Sequence, residues 1–417
     1  MTQQDITVPD YYEKFSCIGP QCEDTCCSGW NVPIDQATYQ NYAQNRHPVL
    51  APLFKLALIR NTSPLGVSPA HFGVLKMRED ASCHFQQADK LCSIHSVLGE
   101  EALSDTCRIY PRYFNQFGAQ REHSLGISCP EAARLVLLNP APMQFGGLQA
   151  PATPAPSFTA YRFPLQSEGD PEQMAVLNDF RAVIIGVLQC RDLSVGARMM
   201  LLGWLLEDAD QVISVETFVH ASELLPVLER TLSMLSQPAA LEAQFVAIPS
   251  ELPRKLEVMT ALIAKSLSAG ASPRFNACLM MAVRGLTGPA GQASDSDLVA
   301  QYTQNHAAFY QPFFQDRAYI FENYLVNQVI IRLFPFVRGT YLDLYRGLVF
   351  NLSILQVLLV GMAAANQGLT LERVIQLFQS FARKADHNPH HLDKLLATLQ
   401  PGERDTFAQV MWMLKEV

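Results

Sequence analysis

The stretch GLVFNLSILQVLLVGMAAA, residues 347–365, is apolar over a length that suits either a membrane span or a buried core helix. It carries Asn351, Ser353 and Gln356, and Arg346 borders it. These polar residues favour burial in a protein core, where hydrogen-bond partners are available, over lipid. We therefore expect a core helix, with peripheral contact at a membrane surface as the open alternative.

The segments around this stretch repeat apolar residues at three- and four-residue spacing, which indicates helices. Several begin with Ser, Thr, Asp or Pro in capping positions, and no alternation of strands with helices appears. A mainly α fold is therefore predicted, and a doubly wound nucleotide-binding sheet is not. The predicted helices are MAVLNDFRAVIIGVLQC (174–190), ARMMLLGWLLEDADQV (197–212), VETFVHASELLPVLERTLSML (215–235), LEVMTALIAKSLSAG (256–270), RAYIFENYLVNQVIIRLF (317–334), TLERVIQLFQSFARKA (370–385) and ERDTFAQVMWMLKEV (403–417).

The length of 417 residues favours two domains over a single compact core. A formal net charge of −8, with no run of basic residues, argues against a nucleic-acid-binding protein. The first residues, MTQQDITVPDYYEK, lack a basic segment followed by an apolar one, so no secretory signal is expected. We therefore expect a cytoplasmic protein, in which cysteines bind metal or do redox chemistry more often than they form disulfides.

The cysteines divide the chain unevenly, since eight of the ten lie between positions 17 and 129. A stretch rich in proline, alanine and glycine, NPAPMQFGGLQAPATPAPS (139–157), follows them and cannot sustain a helix. We predict a small cysteine-rich metal or iron–sulfur binding domain at 1–138, a linker at 139–160 and a larger all-helical domain at 161–417.

The stretch CIGPQCEDTCCSGW (17–30) places four cysteines within eleven positions, and four more follow in short polar or proline-marked segments. Zinc and iron–sulfur clusters both accept four thiolates, so the spacing alone does not name the metal. His84 and His95 stand close to two of the cysteines and are alternative ligands or merely solvated. Cys190 and Cys278, outside this region, are expected to be small buried apolar residues. The candidate metal ligands are Cys17, Cys22, Cys26, Cys27, Cys83, Cys92, Cys107 and Cys129.

The motif KFSCIGPQCEDTCCSGWNVPID, followed by CHFQQADKLCSIH, CRIYPR and the later ENYLVNQ, resembles the flagellin lysine-N-methylase (FliB) family. Its cysteine-rich part is also similar to the CxxCxxCC zinc- or iron-chelating family. The resemblance implies a bacterial, cytoplasmic enzyme that transfers methyl groups from S-adenosylmethionine to lysine ε-amino groups of flagellin. It further implies a [4Fe–4S] cluster at the cysteine motif, with zinc as the alternative. Eight thiols exceed what one cluster needs, so either some are structural or there are two metal sites.

The residues show neither of two common methyltransferase signatures. No Gly-x-Gly-x-Gly turn follows a strand, and the Cys-x3-Cys-x2-Cys spacing of radical enzymes is absent because Cys27 follows Cys26 directly. Direct displacement on lysine requires a neutral amine, so the site should desolvate or deprotonate it. Polar residues near 316–327 are the candidates for this role, although ordinary helix-face polarity also explains them. They are Asp316 and Tyr319 and, as the predicted catalytic residues, Glu322, Asn323 and Tyr324.

A non-enzymatic class competes with this interpretation: a zinc- or iron-binding helical module that binds flagellin as a partner. Retention of S-adenosylmethionine separates the two, since a binding module has no use for it. The segment DHNPHH, with His387, His390 and His391, is expected to be a solvated loop between helices and not a metal site. A homo-oligomer is compatible with either class.

Overall fold

The structure is a computed structural model in which the described residues form two compact units. The first unit comprises Met1–Gln116, Gln120–Ala132 and Phe145–Arg162, and the second comprises Phe117–Ala119, Ala133–Gln144 and Phe163–Val417. The expected mainly α fold, with the cysteines in a small N-terminal region, is confirmed. The described residues are 6–30, 32–62, 71–149, 161–163, 171–213, 221–268, 272–288, 295–336, 339–388, 390–397 and 407–416.

Among the described residues, eight short strands lie in the N-terminal part of the chain, where the sequence predicts none. They are β1 (Ile6–Pro9), β2 (Val32–Ile34), β3 (Leu58–Arg60), β4 (Gly73–Leu75), β5 (Arg112–Phe117), β6 (Gln120–Leu125), β7 (Phe145–Gly147) and β8 (Tyr161–Phe163). One sheet has the order β7-β1-β6-β5-β8, with β1 parallel to β6 and antiparallel to β7; the other has the antiparallel order β2-β4-β3. Most of these strands have only three or four residues, too few for a recognisable alternation of apolar and polar positions.

A compact apolar cluster joins the three-stranded sheet to the first helices. Tyr42 stacks on Phe54 with ring centroids 4.3 Å apart, and Phe54 contacts Phe85 at 4.8 Å. Cys83 is a buried member of this cluster, and Cys27 and Cys92 pack against it. The helices of this part are α1 (Gln36–Ala43), α2 (Leu50–Ala57), α3 (Ser93–Leu98), α4 (Asp105–Ile109) and α5 (Pro130–Leu137).

The stretch predicted to be a linker is partly a strand. Residues 145–147 form β7, and its Gly147 pairs with Thr7 of β1. Residues 161–163, at the start of the predicted all-helical domain, form β8 of the same sheet. Residues 150–160 lie outside the described residues, so the predicted domain boundaries stay predictions.

The second unit is built from helices, most of which match predicted segments. They are α6 (Pro171–Leu188), α7 (Val195–Val212), α8 (Leu224–Leu235), α9 (Pro238–Ala247), α10 (Leu252–Ser268), α11 (Pro273–Thr287), α12 (Asp295–Asn305), α13 (Gln311–Phe314), α14 (Tyr319–Ile331), α15 (Tyr341–Asn366), α16 (Leu371–Ala385) and α17 (His391–Leu396). A π-helix, His306–Tyr310, joins α12 to α13. The last predicted helix is instead a 3-10 helix, Phe407–Leu414. Side chains cap several N-termini as expected; Ser194, for example, accepts from the backbone N–H of Ala197.

Helix α15 contains the opening stretch and is buried along most of its length. It is long and apolar enough to cross a membrane, but 89% of its most apolar window is buried inside the structure. Its polar residues have partners: Ser353 Oγ donates to Met413 O at 2.8 Å, and Asn351 Oδ1 lies 2.9 Å from His391 Nε2. The predicted buried helix is therefore confirmed.

Helices α11 and α15 approach so closely that only glycine fits at the crossing. A Cβ atom on Gly285 would lie 1.8 Å from the carbonyl oxygen of Gly361. A Cβ atom on Gly361 would lie 2.4 Å from the carbonyl oxygen of Ala282. Because both obstacles are backbone atoms, neither could move aside without shifting a helix.

Candidate functional site

Short loops and helix ends bring the predicted metal ligands together in the first unit. The backbone N–H of Cys83 donates to Cys27 O at 2.8 Å, and the backbone of Cys92 pairs with that of Gln86. Lys90 Nζ donates to Cys22 O at 2.8 Å and so fixes the first cysteine loop. None of the ten cysteines, all of which lie in described residues, forms a disulfide bond.

Four thiols form one neighbourhood: those of Cys27, Cys83, Cys92 and Cys107. Burial raises the pKa of Cys83 to about 11, and the thiols of Cys27 and Cys92 raise it further. Burial and Cys27 likewise raise the pKa of Cys92. Cys107 keeps an exposed surface, yet enough protein surrounds its thiol that desolvation raises its pKa, with Cys27, Cys92 and Cys83 adding to the effect. Every pair within this quartet is thus in electrostatic contact.

A second group contains Cys17, Cys22 and Cys129. Burial raises the pKa of Cys129 to about 11, and Cys22 and Cys17 raise it further. Burial raises the pKa of Cys22 as well, and Cys17 contributes a smaller part. Cys26 lies between the two groups: its Sγ is 3.9 Å from that of Cys27, and it also interacts with Cys107 and Cys17. The eight thiols therefore form a group of four and a group of three, with Cys26 between the two groups.

The donor atoms of the quartet suit zinc or an iron–sulfur cluster, because both bind four thiolates. The raised pKa values of Cys83, Cys92 and Cys107 favour their protonated forms without metal, and thiols release protons when they bind metal. Among the described residues, no three His, Cys, Asp or Glu side chains are already arranged around a common metal position. His84 is half-buried and His95 exposed. The predicted ligand set therefore stays a prediction, now divided into two neighbourhoods.

The predicted catalytic residues lie on α14, which is buried in the helical unit. The Glu322 carboxylate accepts from Arg191 Nη2 at 2.8 Å and Nε at 3.0 and 3.2 Å. It also accepts from Arg198 Nη1 at 2.9 Å, and its side chain is only 1% exposed. With both oxygens engaged by two guanidinium groups, Glu322 is placed to hold α7 and the α6–α7 connection against α14.

The other residues of this prediction also have structural partners. Asn323 Nδ2 donates to Asn139 O at 2.8 Å, and Tyr324 lies edge-on to Phe378 with ring centroids 5.3 Å apart. Asp316 is exposed and Tyr319 half-buried. These contacts favour the structural interpretation of the helix, and a catalytic role for its residues stays a prediction.

A cavity of about 590 Å³ lies elsewhere in the helical unit and was not predicted from the sequence. Its walls come from the start of α7, the end of α9, the π-helix, the start of α14 and the residues after the 3-10 helix. Four phenylalanine or tyrosine side chains and two carboxylates belong to the lining. The lining includes Ser194, Glu242, Phe245, His306, Ala307, Tyr310, Phe314, Phe321, Lys415 and Glu416.

An aromatic ladder forms one wall of this cavity. Tyr302, His306, Tyr310 and Phe314 follow at four-residue spacing, with successive ring centroids 6.3, 4.9 and 4.7 Å apart. Phe321 continues the ladder, 4.9 Å beyond Phe314. The π-helix lies at its centre, with the i to i+5 hydrogen bond that defines such a turn. Single π-turns of this kind occur often at functional sites.

Glu416 forms the polar end of the cavity. Its carboxylate lies 3.0 Å from His306 Nε2, 3.4 Å from Tyr310 Oη and 2.6 Å from Gln356 Nε2. Because a carboxylate only accepts, these three groups are its donors. Burial, with a further contribution from Glu416, raises the pKa of Tyr310, which keeps the phenol a neutral donor.

A buried lysine lies behind the same network. Lys255 Nζ donates to Gln356 Oε1 at 3.3 Å and to Lys415 O at 3.0 Å. The side chain is fully buried, and this burial lowers its pKa to about 8. Burial in this part of the helical unit therefore lowers the pKa of Lys255, whereas the Glu416 charge opposes this effect.

A signal for the aromatic ladder is present in the sequence, in the four-residue spacing within YTQNHAAFYQPFF (302–314). Such a stripe more often indicates an ordinary core face, and its carboxylate partner lies 110 residues away from His306. In the segment DHNPHH, His390 is exposed in a turn as expected. His391 departs from the predicted loop, since it begins α17 and bonds to Asn351.

Comparison with known proteins identifies the helical unit. The model of the FliB lysine N-methylase C-terminal domain matches residues 181–413, more than half of the chain. The chain belongs to the FliB lysine N-methylase family. The cysteine region lies outside the matched residues, whereas most of the cavity lining lies inside them.

Three curated relatives match this FliB family member over shorter segments. One is the flagellar biosynthetic protein FliU of Salmonella muenchen, 29% identical over 35% of this chain and 85% of that protein. The others are lysine-N-methylases of Salmonella typhimurium strain LT2 and Salmonella choleraesuis strain SC-B67. Each is 29% identical over 34% of this chain and 35% of that protein, so the match spans only about a third of either methylase. No solved structure matches the chain.

Proposed function

We propose that this protein is an S-adenosylmethionine-dependent N-methyltransferase that methylates lysine ε-amino groups of flagellin in the cytoplasm. The observation that carries the proposal is the FliB lysine N-methylase match over residues 181–413. Two relatives are named lysine-N-methylase, and a third is named a flagellar biosynthetic protein, which supports lysine as the acceptor and flagellin as the substrate.

The reaction forms an N–C bond to the lysine amine while the S–CH₃ bond of the sulfonium breaks, leaving S-adenosylhomocysteine. The amine must first lose a proton, which passes to solvent or to a nearby base. Burial lowers the pKa of an amine because it disfavours the charged form. The helical unit has this effect on its own Lys255, whose pKa falls to about 8. A substrate lysine buried in the same unit would be deprotonated more readily than one in water.

We further propose that the quartet Cys27, Cys83, Cys92 and Cys107 holds the metal, as a [4Fe–4S] cluster or as zinc. The mutual electrostatic contact of these four thiols supports this choice over the other cysteines. Cys17, Cys22, Cys26 and Cys129 would then form a second site or a structural group. A bound metal would cross-link the separate segments of the chain that carry these four cysteines.

Anaerobic purification separates the two metals. Brown protein with iron and acid-labile sulfide would support the cluster, and colourless protein with stoichiometric zinc would support the structural site. Protein that binds neither metal when both are supplied under reducing conditions would contradict the metal proposal.

The activity is tested by incubating the reduced, anaerobic, full-length protein with S-adenosylmethionine and unmethylated flagellin. We expect mass spectrometry to show that the mass of lysine peptides rises by about 14 Da for each added methyl group, and only when the cofactor is present. Cys278→Ala is the matched control for substitutions in the quartet, since this cysteine is buried in the helical unit and lies far in sequence from the quartet.

The alternative is a non-enzymatic, metal-containing partner of flagellin. Tight flagellin binding without methyl transfer, and without retention of S-adenosylmethionine, would support this alternative and contradict the methyltransferase. Peripheral membrane association and homo-oligomer formation are compatible with both functions.

A further inference from the structure

The cavity of the helical unit has the size and lining of a ligand site. Its volume of about 590 Å³ lies within the range of roughly 300–1,000 Å³ that small-molecule sites occupy. Phe245, Phe314 and Phe321 give it apolar walls, and Glu242 and Glu416 place two carboxylates at its lining. Apolar walls with a carboxylate at one end suit a ligand that has an aliphatic stem and a cationic head.

Glu416 has capacity for one more donor. Its two oxygens offer about four acceptor positions, of which His306, Tyr310 and Gln356 use three. Its side chain is 37% exposed, so a ligand in the cavity can reach it. The hydroxyl of Tyr302 is buried nearby without a hydrogen-bond partner among the described residues. Tyr302 is close enough that the Glu416 charge contributes to raising the pKa of its phenol, after burial.

The cavity already accommodates one ammonium group of the chain itself. Lys415 Nζ lies 4.7 Å from the ring centroid of Phe245 and donates to the carbonyl oxygens of Phe245 and Val246 at 3.2 Å each. An aromatic face attracts a cation, and more strongly when water is excluded. The lining thus carries two carboxylates and one ammonium, besides His306, and the ammonium of Lys255 lies behind the Glu416 network. Recognition of a further cation therefore depends on the open acceptor position of Glu416.

We propose that this cavity binds the side chain of the substrate lysine, with its ε-ammonium group at Glu416 and its aliphatic stem along the aromatic ladder. His306 and Tyr310 are the first and last residues of the π-helix, and both contact this carboxylate. Both residues would orient Glu416, and Glu416 would select a cationic side chain. The proposal rests on the proposed function for the identity of the substrate, but binding is measured without catalysis.

The binding test uses the full-length protein and two small probes, Nα-acetyl-lysine methylamide and Nα-acetyl-norleucine methylamide. They share an aliphatic side chain, and only the first has an ammonium group. We expect NMR titration to show affinity for the lysine probe that is at least about tenfold higher, since a hydrogen bond to a charged group is worth at least that factor. Equal affinity for the two probes would overturn the proposal.

Two pairs of variants locate the binding. Glu416→Gln should lower the affinity for the lysine probe by about tenfold or more. Glu229→Gln, at an exposed position of α8, should leave this affinity unchanged. Ala307→Phe should obstruct the cavity and weaken binding of the lysine probe by about tenfold or more, whereas Ala308→Phe should not, because Ala308 is also exposed but does not line the cavity. Ala307 is at the surface, so this pair stays informative if Glu416→Gln fails to fold. Unchanged binding in Ala307→Phe would overturn the assignment.

The sulfonium of S-adenosylmethionine is a second organic cation and is tested separately. Calorimetry would compare it with S-adenosylhomocysteine, whose sulfur is neutral, in the same variants. If Glu416→Gln and Ala307→Phe lower affinity for S-adenosylmethionine and leave the lysine probe unchanged, the cavity takes the cofactor and the proposal is wrong.

The outcomes also separate this proposal from the proposed function. Methyl transfer by wild-type protein, with no effect of Ala307→Phe on the lysine probe, would contradict the cavity assignment alone. Lysine binding that depends on Glu416 in a protein that transfers no methyl group would uphold the cavity assignment and contradict the methyltransferase.

Discussion

The two units of this protein are stabilised in different ways. In the described part of the first unit no helix exceeds eight residues, whereas α15 of the second unit has 26 residues, most of them buried. Isolated helices shorter than about 12–15 residues are marginal in water, so short elements depend on cross-links or tertiary packing. We therefore expect the first unit to depend on metal binding by its thiols in addition to its apolar cluster, while packed helices suffice in the second. The predictions below test this difference.

The largest effect is expected from removing one thiol of the quartet. Cys107→Ala should lose the metal and unfold much of the first unit, because metal binding there contributes directly to folding. Hydrogen exchange should show lost protection in residues 6–149 and retained protection in α15. The Cys278→Ala variant should retain the metal of the quartet. Its free energy of unfolding should fall by only about 1 kcal/mol, as for a typical point substitution. Equal metal content in the two variants would refute the assignment of Cys107.

The next effect concerns the buried carboxylate of the helical unit. Glu322→Ala leaves Arg198, whose side chain is 5% exposed, without its counter-charge. Breaking such a pair costs about 3–5 kcal/mol, so the urea midpoint should fall sharply. Glu251→Ala, which breaks an exposed pair with Arg254, should cost at most about 1 kcal/mol. Similar costs for both would show that the Glu322 pair does not stabilise the unit. A Glu322→Gln variant that stays folded but loses methyl transfer would restore the catalytic interpretation.

Substitutions of glycine at and away from the crossing of α11 and α15 should change the stability by smaller amounts and in opposite directions. Gly361→Ala should destabilise the protein by about 1–3 kcal/mol, since its Cβ would meet the backbone of Ala282. Gly186→Ala, within α6, meets nothing within 4 Å and should stabilise by about 0.5–1 kcal/mol. Thermal unfolding should shift in opposite directions, and a shift of the same sign in both would mean that the crossing is looser than described.

Sequence reasoning predicted the features that depend on local pattern and missed those that depend on distant partners. The apolar run of α15 and its polar Ser353 and Asn351 indicated a buried helix, because their periodicity and composition are local. The cavity was not predictable, since His306 and Glu416 meet only in the folded chain. A catalytic role for Glu322 stays a prediction; the sequence does not reveal that Arg191 and Arg198 bind its carboxylate.

The smallest predicted effect is a pH dependence in the first unit. Burial, and to a lesser degree Arg121, lowers the pKa of His123 to about 4. Above pH ~6.5 both folded and unfolded states are neutral at this residue, and between that pH and 4 only the unfolded state binds the proton. Stability should therefore fall as the pH falls, by about 1 kcal/mol between pH 6.5 and 5.5.

His123→Gln should remove this slope from melts of the first unit, and His71→Gln, at an exposed position, should retain it. Any pH dependence of metal binding is common to the variants, so it cancels when their slopes of stability against pH are compared. An unchanged slope in His123→Gln would show that other groups cause the acid sensitivity.

The π-helix has a consequence for how this family can diversify. A π-turn holds one residue more than the α-helical turn it replaces, so deleting one residue would restore a regular helix. The side chains beyond the shortened turn would keep their orientation, because the π-turn had absorbed the extra residue. A deletion between His306 and Tyr310 would place these residues three positions apart and so change how their side chains reach Glu416. Relatives with a different acceptor are therefore expected to differ here in chain length by a single residue, a change that no series of substitutions reproduces.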